Sequence, residues 1–178
     1  MQDFGKLSVL VVDDNRHMLR TVSTILKGFG VGQIRECLDA ADAFTVMREF
    51  PVDIVITDWR MEPLDGLDLV RLLRTAKDSP NTFVPIIMLS AYTERSNIIS
   101  ARDAGVTEFL AKPVTPEALL KRMNAVIARP RPFVRAKHYF GPDRRRRTDA
   151  PPEGERRVAQ ASDDENLNQD EIEALMNG

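Results

Sequence analysis

The chain has 178 residues, 43% of them hydrophobic, and a formal net charge of −2, which suits one compact domain with chain to spare and leaves a tight fit for two. Its longest apolar runs, such as residues 9–12 and 84–89, are strand-sized and far short of the roughly 20 residues that a membrane span needs. Residues 1–5 have neither a basic start nor an apolar stretch, so no secretory signal is expected and a cytoplasmic location is the default. Cys37 is the single cysteine, and with His17 and His138 alone beside it neither an internal disulfide nor a soft-metal cluster is expected. It reads as a small core residue.

Charge divides the chain. Residues 1–128 carry 15 basic and 17 acidic groups, residues 129–147 carry 8 and 1, and residues 148–178 carry 2 and 9. The expected organisation is a folded body over 1–128, a basic then acidic proline-containing linker over 129–165, and a short amphipathic helix over 166–178. Within the body, apolar runs at 7–12, 34–37, 53–57, 84–89 and 107–110 alternate with segments of helical period. Most runs are solid, as strands covered on both faces should be, and the alternation predicts a parallel α/β sheet. Met18, Leu19, Val22, Ile25, Leu26 and Phe29 form the first helical stripe, Leu67, Val70 and Leu73 the next. Ile98, Ile99 and Arg102 make a weaker one, and Leu119, Leu120, Met123, Val126 and Ile127 close the body. These stripes read as core.

In an open parallel sheet, ligands sit beyond the carboxyl ends of the strands. The residues there are Asp13 and Asp14 after the first run, Asp58 after the third, Ser90 after the fourth, and Lys112-Pro113 after the fifth. Three carboxylates crowded together raise one another's pKa unless a divalent cation lies between them, and hard oxygen donors suit magnesium. One carboxylate could then attack phosphorus while Lys112 stabilises the phosphoryl oxygens and Ser90 adds a hydrogen bond. Asp58, alone in the middle of the rim, is the best nucleophile, and the adjacent Asp13 and Asp14 suit the metal. Taken singly, each is ordinary for a loop, and Asp14 or Asn15 also fits as a helix cap. Five at successive strand ends argue for a site.

Val-Val-Asp13-Asp14-Asn15, Asp58-Trp-Arg-Met61, Asp65-Gly66, Leu-Ser90-Ala91 and Lys112-Pro113 resemble the landmarks of bacterial response-regulator receiver domains, of the chemotaxis type, over residues 7–127. The resemblance implies a doubly wound, flavodoxin-like sheet of five parallel strands in the order 2-1-3-4-5. It also implies phosphorylation of Asp58 by a histidine kinase or phosphotransfer protein. Asp14, Asp58 and the backbone carbonyl of Arg60 would ligate Mg2+, with Asp13 acting through water. Ser90 and Lys112 would close on the phosphoryl group, with a cis bond before Pro113. Phe109 falls at the family's aromatic switch position and equally suits plain core. Met61-Glu62-Pro63 departs from the frequent Met-Pro, which bears on loop shape and phosphoryl lifetime. Arg60 and Tyr92 are candidates to tune attack by water.

Beyond residue 129 no helix-turn-helix pattern follows, so no DNA-binding domain is expected. Residues 133–147 interleave aromatics with base, ending in Arg144, Arg145, Arg146 and Arg147. Arginine forks match phosphates and Tyr139 or Phe140 offers a stacking face, but a solvated linker is an equal reading. The strip resembles arginine-rich extensions of chemotaxis-like receivers that bind cyclic di-GMP, which implies a nucleotide effector as the alternative function. At the C-terminus Ile172, Leu175 and Met176 fall at i, i+3 and i+4, with acids before them and Asn-Gly after. Too short to be stable alone, such a helix needs a partner; a frayed terminus is the other reading. It resembles the N-terminal peptide of flagellar switch proteins, which phosphorylated chemotaxis receivers bind, and that resemblance implies docking on a receiver at the surface that Phe109 controls.

Overall fold

The computed structural model describes residues 3–143 and 166–177. Strands β1 (Ser8–Val12), β2 (Gln33–Cys37), β3 (Ile54–Asp58), β4 (Ile86–Ser90) and β5 (Glu108–Ala111) are all parallel and stand in the order β2-β1-β3-β4-β5. The central strands β1, β3 and β4 are buried at every residue, which is why their runs are solid, whereas the edge strand β2 is only partly covered.

Side chains alternate across the sheet and so serve two cores. Val9, Val11, Ile54, Ile56, Ile87 and Leu89 face α1 (Arg16–Gly28) and α5 (Pro116–Ala128). Leu10, Val12, Val55, Ile86 and Met88 face α2 (Ala40–Glu49), α3 (Gly66–Thr75) and α4 (Arg95–Ala104). Each of the first three helices starts on an acid or amide. Asn15 accepts from the amides of His17 and Met18, Asp39 from Asp42, and Asp65 forms a reciprocal box with Asp68. Because Asn15 is the cap of α1, Asp14 is left for the rim.

Two sequence expectations shift. Asp58 and Ser90 are the last residues of β3 and β4 rather than the first residues beyond them, since the parallel ladder continues while a neighbour offers partners. The stretch expected to be a linker begins as structure. Strands β6 (Phe133–Ala136) and β7 (Tyr139–Pro142) form an antiparallel hairpin that packs on α3 and α4. Proline did not prevent it, because Pro142 lies at a strand end, where its missing donor is tolerated. Phe133 and Phe140 meet Phe83 edge-on at centroid distances of 5.2 and 5.5 Å and lie 5.7 Å from each other. Beneath them the buried Arg74 donates to Gly105 O and Thr82 O and lies 5.0 Å from the Phe133 ring. Burial lowers its guanidinium to about 10. No helix among the described residues is long and apolar enough to cross a membrane.

A Cβ at Gly66 would lie 2.1 Å from the Asp58 carbonyl oxygen, whereas one at Gly28 meets nothing within 4 Å. Gly66→Ala should therefore cost about 1–3 kcal/mol in urea unfolding, and Gly28→Ala should stabilise by about 0.4–1 kcal/mol. Burial, helped by Asp42 and Asp39, pushes the Cys37 thiol from 9.0 up to about 11. Between those values the unfolded chain releases this proton while the native chain holds it, so the cysteine makes stability fall as pH rises through that window. Iodoacetamide at pH 8 should accordingly alkylate Cys37 in urea and spare it in the folded protein.

Candidate functional site

The carboxyl ends of β1, β3, β4 and β5 bring Asp13, Asp58, Ser90 and Lys112 to one rim. Carboxylate oxygens of Asp13, Asp14 and Asp58 lie within 4.8 Å of one another, the first and last of these residues buried and Asp14 exposed. Lys112 follows β5 and reaches back, its Nζ 2.6 Å from Asp58 Oδ1 and 3.4 Å from Asp13 Oδ2. Burial raises the Asp13 pKa, although the Asn15 amide and Lys112 oppose it. For Lys112 burial alone would lower the pKa, but the hydrogen bond and charge of Asp58, reinforced by Asp13, carry it above its usual value. A hard cation would replace the missing positive charge among three acids, and oxygen donors at this spacing fit magnesium.

Around this centre, Ser90 Oγ accepts from the Tyr92 amide at 2.9 Å. The Arg60 guanidinium lies 4.8 Å over the Tyr92 ring, so the two side chains expected to tune the site stack on each other. A cavity of about 480 Å3 opens between Asp14, Arg60, Met61, Glu62, Pro63, Asp65 and Asp68. Both Glu62–Pro63 and Lys112–Pro113 are cis. Phe109 is buried, 6.1 Å from the Trp59 ring in an edge-on contact.

The family profile of the response regulator receiver domain matches residues 9–124. The chain belongs to the response-regulator receiver family. The receiver is 31% identical to the chemotaxis protein CheY-3 of Vibrio cholerae over 123 residues, which is 69% of this chain and 93% of that protein. It is 30% identical to the chemotaxis protein CheY of Pseudomonas aeruginosa, over 69% of this chain and 98% of that one. Among solved structures, CheY4 of Vibrio cholerae matches with a TM-score of 0.63 and 30% identity, covering 68% of this chain and 98% of its own. The receiver domain of the Francisella response regulator 1452 matches with a TM-score of 0.63 and 28% identity, over 70% and 98%. A CheY-like receiver is a signalling module of two-component systems, and receivers bind Mg2+ at an acidic pocket.

The receiver's C-terminal segment forms α6 (Gln169–Met176), started by Asn168 and Glu171 in a reciprocal capping box. It lies on α4 and β5. Ile172 and Met176 are buried in the same apolar cluster as Ile98 and Phe109, with Leu175 half-buried beside them. Sequence reasoning found those apolar residues and missed the polar ones. Gln169 accepts from Ala111 N at 2.9 Å and donates to Phe109 O at 3.1 Å. Glu173 pairs with Arg122 and Lys121. Arg122 and Arg131, both buried, also meet Glu108 at 3.1 and 3.7 Å, and Arg131 donates to Met176 O and Asn177 Oδ1. Burial lowers both guanidiniums. A signal existed: Glu108 interrupts a buried strand and Arg122 an apolar helix stripe. Tyr139 donates its hydroxyl to Pro142 O within the hairpin, and Arg144–Arg147, the other half of the anion or nucleotide strip, lie outside the described residues.

Glu108→Ala would take from two buried guanidiniums, Arg122 and Arg131, the carboxylate that both meet. It should cost about 3–5 kcal/mol in chemical unfolding. Lys121→Ala, which removes a largely exposed partner of Glu173, should stay within about 1 kcal/mol.

Proposed function

We propose that Asp58 accepts a phosphoryl group from a histidine kinase or a phosphotransfer protein in a magnesium-dependent reaction. The protein then signals through contacts with other proteins, in chemotaxis, motility or a related two-component pathway. The observation that carries this reading is the clustering of Asp13, Asp14 and Asp58 within 4.8 Å with Lys112 Nζ 2.6 Å from the Asp58 carboxylate. Two chemotaxis proteins among the relatives favour the motility setting.

Asp14, Asp58 and the Arg60 carbonyl would hold the ion directly, and Asp13 would hold it through water. When bound, magnesium neutralises the acid cluster and polarises the phosphoryl oxygens. Asp58 attacks phosphorus with one carboxylate oxygen, forming the acyl phosphate as the P–N bond of a phosphohistidine, or the P–O bond of a small donor, breaks toward the leaving group. Lys112 moves from the free carboxylate to the phosphoryl oxygens, where its charge is better satisfied. Ser90 exchanges the Tyr92 amide for the same group. Phe109, packed between Trp59 and the output face, responds to that movement. The output is the reshaped α4–β5–α5 face, with no catalytic step of its own.

Acetyl phosphate with magnesium should label the wild-type chain, and Asp58→Asn should abolish the label. Magnesium-dependent label persisting in that variant would move the nucleophile elsewhere. Trp59, buried next to the acceptor, should report metal by a change in emission, and Asp14→Asn should weaken that titration by at least about tenfold. A flat wild-type titration would argue against the metal site.

A further inference from the structure

The face formed by α4, β5 and α5 is already occupied, and its occupant touches the chain next to both residues that would meet the phosphoryl group. Leu167 N donates to Thr93 O at 2.9 Å and Asn166 bridges Glu94, in the loop that leaves Ser90. Gln169 grips the peptide groups on both sides of Leu110. Lys112, one residue beyond Ala111, makes the 2.6 Å contact with Asp58. At its far end α6 accepts from Arg102 through Leu175 O and from Arg131 through Met176 O.

Charge argues that this is a built face. Glu108 and Glu173 balance Arg122 and Arg131 when α6 is seated. Its departure takes the Glu173 carboxylate from Arg122 and two acceptors, Met176 O and Asn177 Oδ1, from Arg131, and losing partners at a desolvated charge is costly. The apolar side agrees, since Ile172 at 0% and Met176 at 2% exposure are core residues for this face. A helix of eight residues has little stability of its own, so its order reflects the contacts. The 22 residues that join Asp143 to Asn166 make it a tethered ligand, present at high local concentration wherever the chain goes.

We propose that α6 is an intramolecular ligand of the α4–β5–α5 face whose seating is linked to phosphorylation of Asp58, each stabilising the other. The linkage rests on Asp58 being the phosphoacceptor, but the seating does not. Seated α6 holds the end of β5 so that Lys112 projects at Asp58, and it caps the cluster in which Phe109 lies buried. A phosphoryl group that draws Lys112 and Ser90 inward fixes the same strand end and the same loop. Phosphorylation thereby tightens the tail on the face, and an outside partner must displace α6 and supply a carboxylate for Arg122 and neutral acceptors for Arg131. Reciprocity requires one coupling factor in both directions.

Hydrogen exchange of the α6 amides in the full-length protein, with and without magnesium and beryllofluoride, tests both parts. Protection of α6 is expected in the free protein, rising about fivefold or more with beryllofluoride. Ile172→Asp should abolish the protection and weaken beryllofluoride binding, read by Trp59 emission, by the same factor. Gln169→Ala should keep the helix protected but shrink the beryllofluoride effect toward none. Unprotected α6 amides in the wild type would overturn the seating. Protection that depends on protein concentration would assign the helix to a neighbouring copy and overturn the intramolecular arrangement. A normal Trp59 response to beryllofluoride with unchanged exchange would overturn the linkage alone, whereas no Trp59 response would overturn the phosphoacceptor reading and the linkage together.

Discussion

Asp13 and Asp58 carry like charge at the ends of adjacent strands, both nearly removed from solvent, and the geometry of the whole carboxyl rim follows from having to satisfy them. Lys112 does so from β5, two strands from Asp58, and its reach requires β5 to end where it does. That constraint runs backward into the sheet. Ala111 pairs with Ser90 in the β4–β5 register, so the serine and the lysine are placed by one ladder. It also runs outward, because the loop after β3 must turn sharply beneath Asp58. Gly66 N donates to Trp59 O at 2.7 Å, and its missing side chain makes room for the Asp58 carbonyl.

A second buried ionic system lies on the same strand. Glu108 points to the opposite end of β5 from Lys112 and gathers Arg122 and Arg131. Buried ion pairs add little net stability compared with apolar packing, but they penalise wrong partners heavily. Here they favour an occupant that brings a carboxylate. Glu173 of α6 is such an occupant, and Lys121 at the rim adds a weaker, screened attraction. β5 thus joins the acid cluster at one end to a charge-selective face at the other.

The hairpin of β6 and β7 anchors the chain between α5 and α6. Its aromatic residues cover Arg74, whose donors all go to backbone carbonyls, and Gly141 packs against Gly105 with no room for a side chain. Arg131 leaves the end of α5 already engaged with α6. The extension is therefore continuous with the receiver up to Asp143, and aromatic rings that alternate with arginine in sequence are used for packing and cation–π contact.

The fold was legible in the sequence because solid apolar runs alternating with helical stripes leave a doubly covered parallel sheet as the consistent arrangement, and the strand-end rule then points to Asp13, Asp14, Asp58, Ser90 and Lys112. The apolar face of the terminal helix was legible for the same reason, since Ile172 and Met176 keep helical period. What periodicity cannot carry is pairing between residues far apart in the chain. Asn15 rather than Asp14 caps α1, Pro132 precedes and Pro142 ends a hairpin in place of an open linker, and Gln169 hydrogen-bonds a strand about 60 positions earlier. Glu108, Arg122, Arg131 and Glu173 each looked like an isolated charge in the sequence. Only the tertiary structure made them one network, because a buried charge is tolerated through partners brought to it in space.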